Sequence, residues 1–515
     1  MSHDANADLQ HIYQQVCRHA GQTALLESIE AVLGWDERTM LPTAGAEYRA
    51  EQMTLLSGMV HQRWTDRAFG ESLAELSESR LVAPAENATS PSDAAATIRR
   101  LKRQRDKKIR LPQSLVEELT RTTVLGQHAW QEARSKDDFL LFRPLLEKII
   151  DLKRQEADAL GYAECRYDAL LDDYEPEEST ANVARVLAGL RGQLAPLVAE
   201  IAASGRRPDV SLLQRPYPLE AQAAFGREAA AAIGFDFHRG RLDVTAHPFC
   251  SGMGPHDCRI TTRYDAGHFN AAFFGILHEA GHGIYEQGLR EDQYGLPLGS
   301  AVSLGIHESQ SRLWENMVGR SRSFWEHFFG KAQGRFPQAL GDVSLDDFCF
   351  AINDVRPSLI RVEADEATYN LHILIRFELE RALLDGDLAV ADLPGAWNER
   401  YQKDLGIAPP GAAQGVLQDI HWSAGLIGYF PTYALGNLYA AQFFAQADAE
   451  LGGLDRQFAR GEFQPLRQWL REKIHQQGQR HTAAELVEQV TGRPLSPQPL
   501  MAHLRAKLGP LYGIG

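Results

Sequence analysis

Apolar residues recurring at three- and four-residue intervals through most of the 515-residue chain predict a mainly α protein with one small β element. Three observations carry that expectation. Leu9, Ile12 and Val16, then Leu25, Leu26, Ile29, Val32 and Leu33, lay an apolar stripe along a helix over residues 8–33. A second stripe occupies residues 46–62, with Leu41-Pro42-Thr43 as punctuation between the two. Helical patterning resumes at His268 and runs almost to the C-terminus, broken at Ala408-Pro409-Pro410-Gly411. Residues 244–264 differ: β-branched and aromatic side chains alternate there with polar ones between Gly and Pro signals, which predicts short strands.

The remaining segments follow from composition. Residues 82–96 are rich in Ala, Pro, Ser and Asn and read as an exposed loop between helices. Residues 99–110 form a charge run that reads as a solvated helix face, with an anion or partner patch as the alternative. Pro and Arg over residues 205–218 read as a linker into a second half. Length alone allows two to four domains, although no internal repeat divides the chain, and the linker separates an N-terminal half over 1–205 from a second half over 206–515.

Charge and cysteine usage exclude several function classes. Fifty-three Lys and Arg stand against 68 Asp and Glu, a formal charge of −15, which argues against nucleic acid as a partner because phosphate recognition needs a basic surface. Apolar runs such as 271–277 are too short to span a membrane, and Met1-Ser2-His3-Asp4-Ala5-Asn6 has no basic start with an apolar stretch behind it, so the cytoplasm is the expected compartment. Cys17, Cys165, Cys250, Cys258 and Cys349 are few, odd in number and without a C-x-x-C spacing. They read as reduced thiols, although Cys250 and Cys258 can lie close together.

The decisive segment is His278-Glu279-Ala280-Gly281-His282, an H-E-x-x-H motif in an apolar helical context. Residues four apart share a helix face, so the two imidazoles can converge on one ion at about 2.1 Å while Glu279 reaches the water beside it. With 18 His and 68 acids in the chain, chance supplies roughly 0.08 such matches, so the motif alone is only moderately specific. Gly281 and Gly283 add weight, because two glycines in an apolar helix cost stability unless something must approach the backbone. The alternative is a buried His pair with a solvated Glu. A catalytic site needs a third protein ligand and an open position. Glu308, in a second helical segment, is the candidate, since a turn and an antiparallel return bring it opposite the histidines. His307 is the alternative, although it points about 100° around the helix. A His2Glu set suits zinc, with cobalt or manganese possible, one ion per chain.

Six segments then occur in the order and spacing of a known family: His247-Pro248-Phe249, Asp257-Cys258-Arg259-Ile260-Thr261, His278 to His282, His307-Glu308-Ser309-Gln310, Ile360-Arg361-Val362-Glu363-Ala364-Asp365, and Gly415-Val416-Leu417-Gln418-Asp419-Ile420-His421-Trp422. Two N-terminal segments, Leu33-Gly34-Trp35-Asp36-Glu37-Arg38-Thr39-Met40-Leu41-Pro42 and Tyr167-Asp168-Ala169-Leu170-Leu171-Asp172-Asp173-Tyr174-Glu175-Pro176, also fit. The chain resembles the M32 metallocarboxypeptidases of the Taq type over essentially its whole length. The resemblance implies one helical, clam-like fold of the neurolysin-like zincin kind, with residues 1–205 lining a deep groove. It also implies a homodimer that cleaves single residues from peptides with a free C-terminus.

Within that resemblance, Glu279 is the expected general base, and His421 with Tyr433 or Tyr429 the expected oxyanion donors, the tyrosines having a core-aromatic alternative. Arg361 is the first candidate for the substrate carboxylate and Arg259 the second, unless neighbouring Glu363, Asp365 or Asp257 hold them in internal ion pairs. His247, Asp365 and Gln418 are expected to hold the metal ligands in place. A helical zinc endopeptidase or a dipeptidyl carboxypeptidase is the competing reading, sharing metal, base and fold but with a groove open past the terminal residue.

Overall fold

The computed structural model describes residues 2–83 and 90–514. Its first helix runs Ser2–Thr39, longer at both ends than the apolar stripe, and Leu41-Pro42 ends it before a short 3-10 turn and the helix Ala46–Trp64. Together with Arg67–Ser77 and Asp93–Arg110 these helices enclose a small core of Val16, Val60, Trp64, Phe69, Leu73, Leu76, Ile98 and Leu101. Of the loop expected at 82–96, residues 84–89 lie outside the described residues, and Ser92 caps a helix that is already under way at Asp93.

The charge run departs from the expected solvated face. Arg100 is buried, pairs with Glu177 and donates to the Gln479 carbonyl, while Arg103 and Lys107 both pair with Asp172. Cations on one side of the helix are thus spent on the neighbouring Asp172–Glu177 segment. The 205–218 linker is likewise ordered: Val210–Gln214 forms a 3-10 turn whose Leu212 and Leu213 enter the main core. Thr180–Ala203 is long and apolar enough to cross a membrane, but Val183, Leu187, Leu190, Leu194 and Leu197 are buried in that same core.

The main core draws on residues from Trp130 to Tyr512, so helices before and after residue 205 share it. Strands β1 (Gly240–Val244), β2 (Cys250–Gly252) and β3 (Cys258–Thr262) form a small β element in the order β1-β3-β2, β2 and β3 inside the expected 244–264 and β1 just ahead of it. β1 pairs parallel to β3 with Gly240 opposite Cys258, and β2 pairs antiparallel with Cys250 opposite Ile260. The middle strand is almost wholly buried beneath the helix Asn270–Gly288. The first helix closes on the same element: Arg38 lies 4.0 Å over the Phe249 ring and Arg259 4.6 Å over Trp35.

Helical pattern does not continue through the second half as expected. Residues 353–367 are irregular apart from a 3-10 turn at Arg361–Glu363, and residues 406–430 contain no helix. Both carry buried motif residues: Arg361 in the first, and Val416, Leu417, Gln418, His421 and Trp422 in the second.

Candidate active site

The helix Asn270–Gly288 carries the H-E-x-x-H residues, and the helix Leu304–Arg312 returns beside it. Their close approach explains the glycines. A Cβ on Gly281 would stand 2.6 Å from the Gln310 carbonyl oxygen, and one on Gly283 would stand 2.4 Å from the Phe235 ring and 3.3 Å from Ile260. Ser303 caps the return helix by accepting from Ile306 N–H, and its own hydroxyl donates to the buried Glu175 carboxylate, which also accepts from Gly305 N–H and Tyr439 hydroxyl. From the third side the helix Pro431–Leu451 presses Gly436 against Glu308, where a Cβ would meet the Glu308 side chain at 2.6 Å.

His278, His282 and Glu308 are brought together, with ligand atoms all within 4.8 Å of one another. Glu308 Oε2 lies 3.5 Å from His282 Nε2 and 3.8 Å from His278 Nε2. Two ligands at about 2.1 Å from a tetrahedral ion stand about 3.4 Å apart, close to the two distances from Glu308, so the trio suits a metal. His278 Nδ1 meets Glu315 Oε2 at 2.9 Å, which leaves its Nε2 free to face the other two groups. His307 is not part of the trio. Its ring stacks on His282 at 4.5 Å, and its Nε2 bonds Glu286 at 2.8 Å.

The electrostatics suit a cation. Burial, aided by the Glu308 charge and only partly offset by His278, pushes Glu279 up to about 7. Burial pushes His282 down to about 3, keeping it in the neutral form a ligand requires. Burial raises Glu308 and Glu315, but Arg312 and the histidines outweigh it, so Glu308 stays well below the usual carboxylate range and Glu315 falls to about 2.

The model of the carboxypeptidase Taq (M32) metallopeptidases matches residues 15–508. The chain belongs to that family. Thermostable carboxypeptidase 1 of Thermus thermophilus is 50% identical over 97% of this chain and 99% of its own length, and carboxypeptidase 1 of Bacillus subtilis 40% over 94% and 95%. The crystal structure of the M32 carboxypeptidase from Deinococcus radiodurans superposes with a TM-score of 0.93 at 42% identity, covering 98% of this chain and all of that one. The protein is therefore a metal-dependent carboxypeptidase of mainly α fold, and its family membership calls for a divalent metal.

In this M32 chain the other expected residues gather around Asp419. Arg361 is only 5% exposed and neither Glu363 nor Asp365 holds it. Its Nε and Nη2 donate to Asp419 Oδ1 at 3.0 and 2.8 Å, and Nη1 donates to the Tyr369 hydroxyl at 2.9 Å. Those bonds occupy three of the five N–H donors. Arg376 takes the other Asp419 oxygen at 2.7 Å. His421, lowered by burial to about 4 and so neutral, reaches the Tyr433 hydroxyl at 3.2 Å through Nε2, and the Tyr429 ring lies 5.3 Å from the Tyr433 ring. The Tyr433 ring also lies 5.0 Å from the Arg361 guanidinium. Arg259, on β3, instead forms a two-bond pair with Asp257 at 2.9 and 2.8 Å.

The three residues expected to brace the metal ligands do not touch them. His247 is exposed between β1 and β2. Asp365 caps the helix Thr368–Asp385 by accepting from Ala367 and Thr368 N–H, and Gln418 accepts from Arg361 N–H at 2.9 Å while donating to the Leu359 carbonyl. The side chains that touch His278 and Glu308 are instead Glu315 and Arg312, neither of them a residue expected from the sequence. Their signal was the spacing 308, 312, 315, one face of a helix.

Proposed function

We propose that this carboxypeptidase removes single residues from peptides with a free C-terminus, using one zinc ion held by His278, His282 and Glu308 and Glu279 as general base. The convergence of the three ligand atoms, with Glu279 buried on the same helix, carries the reading. A zinc ion in that trio supplies Lewis acidity that makes a water nucleophilic near neutral pH. Glu279 takes the proton from the attacking water and delivers it to the leaving amine. Glu279 would be kept ionised by the charge of an ion held by His278, His282 and Glu308, which would oppose the burial that raises its pKa. His421 and Tyr433, already in hydrogen-bond contact, donate to the oxyanion, and Tyr429 stands next to them as the alternative hydroxyl. Arg361 binds the substrate carboxylate with the N–H donors that Asp419 and Tyr369 leave free. Arg259 is the weaker candidate, since Asp257 pairs with its Nε and Nη2 and it stacks on Trp35, whereas Arg361 stands beside Tyr433.

The chain acts as one peptidase domain in a cytoplasmic homodimer, residues 1–205 forming one wall of a groove and 206–515 carrying the site. Light scattering is expected to give a particle of two chains at micromolar concentration, and a monomer would remove the dimer. Reaction class and metal are tested together with benzyloxycarbonyl dipeptides as free acids and as amides, after chelation and add-back of zinc, cobalt or manganese. Hydrolysis of the acids alone, restored by one of these ions, is the expected result. Equal hydrolysis of amides would favour an endopeptidase.

A further inference from the structure

We infer that Arg312 is a positioning residue for the metal site, clamping Glu308 so that a single carboxylate oxygen is presented to the ion and tying that ligand to the brace on His278. This rests on the ligand set proposed above. The two oxygens of Glu308 have different surroundings. Oε2 faces both imidazole nitrogens, whereas Oε1 accepts from Arg312 Nε at 2.6 Å. The same guanidinium reaches Glu315 Oε2 through Nη1 at 3.3 Å, and that oxygen is the one bonded to His278 Nδ1. One planar fork therefore joins a ligand from the return helix to the brace of a ligand from the motif helix.

The local backbone makes the clamp possible. Glu308 and Arg312 are four apart on the helix Leu304–Arg312, and the chain then widens into a π-helical turn over Leu313–Val318 that holds Glu315. Such turns recur at functional sites because the extra residue per turn re-aims side chains. Arg312 itself is fixed from behind, with its guanidinium 4.4 Å over the Tyr369 ring, and Arg320 Nη2 approaches the other Glu315 oxygen at 3.5 Å. Ser311 hydroxyl, 3.3 Å from Glu308 Oε2 and 2.7 Å from the Glu308 carbonyl, completes the immediate surroundings. Lysine cannot reproduce the arrangement, because a point charge cannot hold two carboxylates in a plane as the guanidinium does.

The test is zinc retention in the full-length protein by competition with a chromophoric chelator, for the parent, Arg312→Met, Arg312→Lys and Glu308→Ala. Melting is followed with and without zinc. Arg312→Met is expected to weaken zinc binding roughly 10- to 100-fold, the usual effect of removing a group that orients a ligand. Arg312→Lys should fall between it and the parent. Cobalt-substituted Arg312→Met should show a changed visible spectrum, because a released Glu308 can offer both oxygens. Parent-like zinc affinity and an unchanged cobalt spectrum in Arg312→Met, with metal lost from Glu308→Ala, would overturn the clamp and leave the ligand set intact. The same holds if Arg312→Met lowers the zinc-free melting temperature without reducing the stabilisation by zinc, since that describes a scaffold arginine. Zinc bound at parent affinity by Glu308→Ala would instead overturn the ligand set.

Discussion

Around His278, His282 and Glu308, the buried carboxylates of Glu279 and Glu308 and the half-buried one of Glu315 meet two guanidiniums, Arg312 and Arg320. Around Asp419, one buried carboxylate meets two guanidiniums, Arg361 and Arg376. With Glu279 ionised and both histidines neutral, as metal binding requires, the first cluster is short of a positive charge, and the second is short of a negative one. Uncompensated charge in a protein interior is costly. The two shortfalls therefore point to different visitors, a cation at the first cluster and an anionic group at the second, which is what a metal ion and a peptide carboxylate provide.

The largest expected effect breaks the first cluster. His278→Ala, His282→Ala or Glu308→Ala should lose bound metal and reduce peptide hydrolysis to background. Metal analysis beside the assay checks this, and a fully loaded Glu308→Ala would contradict it. Glu279→Gln sharpens the same cluster, since it removes the base and spares the ligands. Its metal content should stay at the parent level while turnover drops by roughly 10²- to 10⁴-fold.

The second cluster is tested through the substrate's charge. Arg361→Ala should lower kcat/KM on free-acid peptides by about 30-fold or more, as truncating one member of a desolvated charge pair does. On amides, which the parent should cleave poorly, the same change should cost little. Because Arg361 also holds Asp419, its melting temperature is expected to fall, so the acid-to-amide ratio is the informative quantity. Equal losses on both substrates would assign Arg361 to the scaffold alone.

The smallest effect is a pH dependence in metal-free protein. Folding raises Glu279 from 4.5 to about 7, so the folded chain favours its protonated form. The associated stabilisation is complete below about pH 4.5 and is lost as pH rises through 7, a change on the order of 3 kcal/mol. Thermal unfolding of the metal-free parent beside Glu279→Gln should show the parent losing ground between these limits, and zinc should recover it. Parallel curves across that range would mean Glu279 is not held in a charge-hostile site.

Much of the first cluster was legible in sequence, and the second was not. Two histidines four apart need only helical periodicity to converge, and Gly281 and Gly283 advertised a close approach that Gln310 and Phe235 make. Glu308 was reachable by the same reasoning once a return helix was assumed. Asp419 lay inside a recognised motif, yet its partners Arg361 and Arg376 are 58 and 43 residues away along the chain. No periodicity relates them, because residues 353–367 and 406–430 are irregular and their side chains are placed by burial.

What the amino-acid order determined by itself was local: the helical class, the short strands, and the ligand pair with its base, all set by repeating patterns within a few turns of chain. Which acid neutralises which arginine, and which carboxylate braces His278, were decided only by tertiary structure. Ion pairs form between whichever groups packing leaves buried together, and desolvation penalises any that remain alone. His247, Asp365 and Gln418 were plausible braces by motif, but the residue that reaches Nδ1 of His278 is Glu315, whose spacing from Glu308 shows only a shared helix face and not the π-helical turn that aims it.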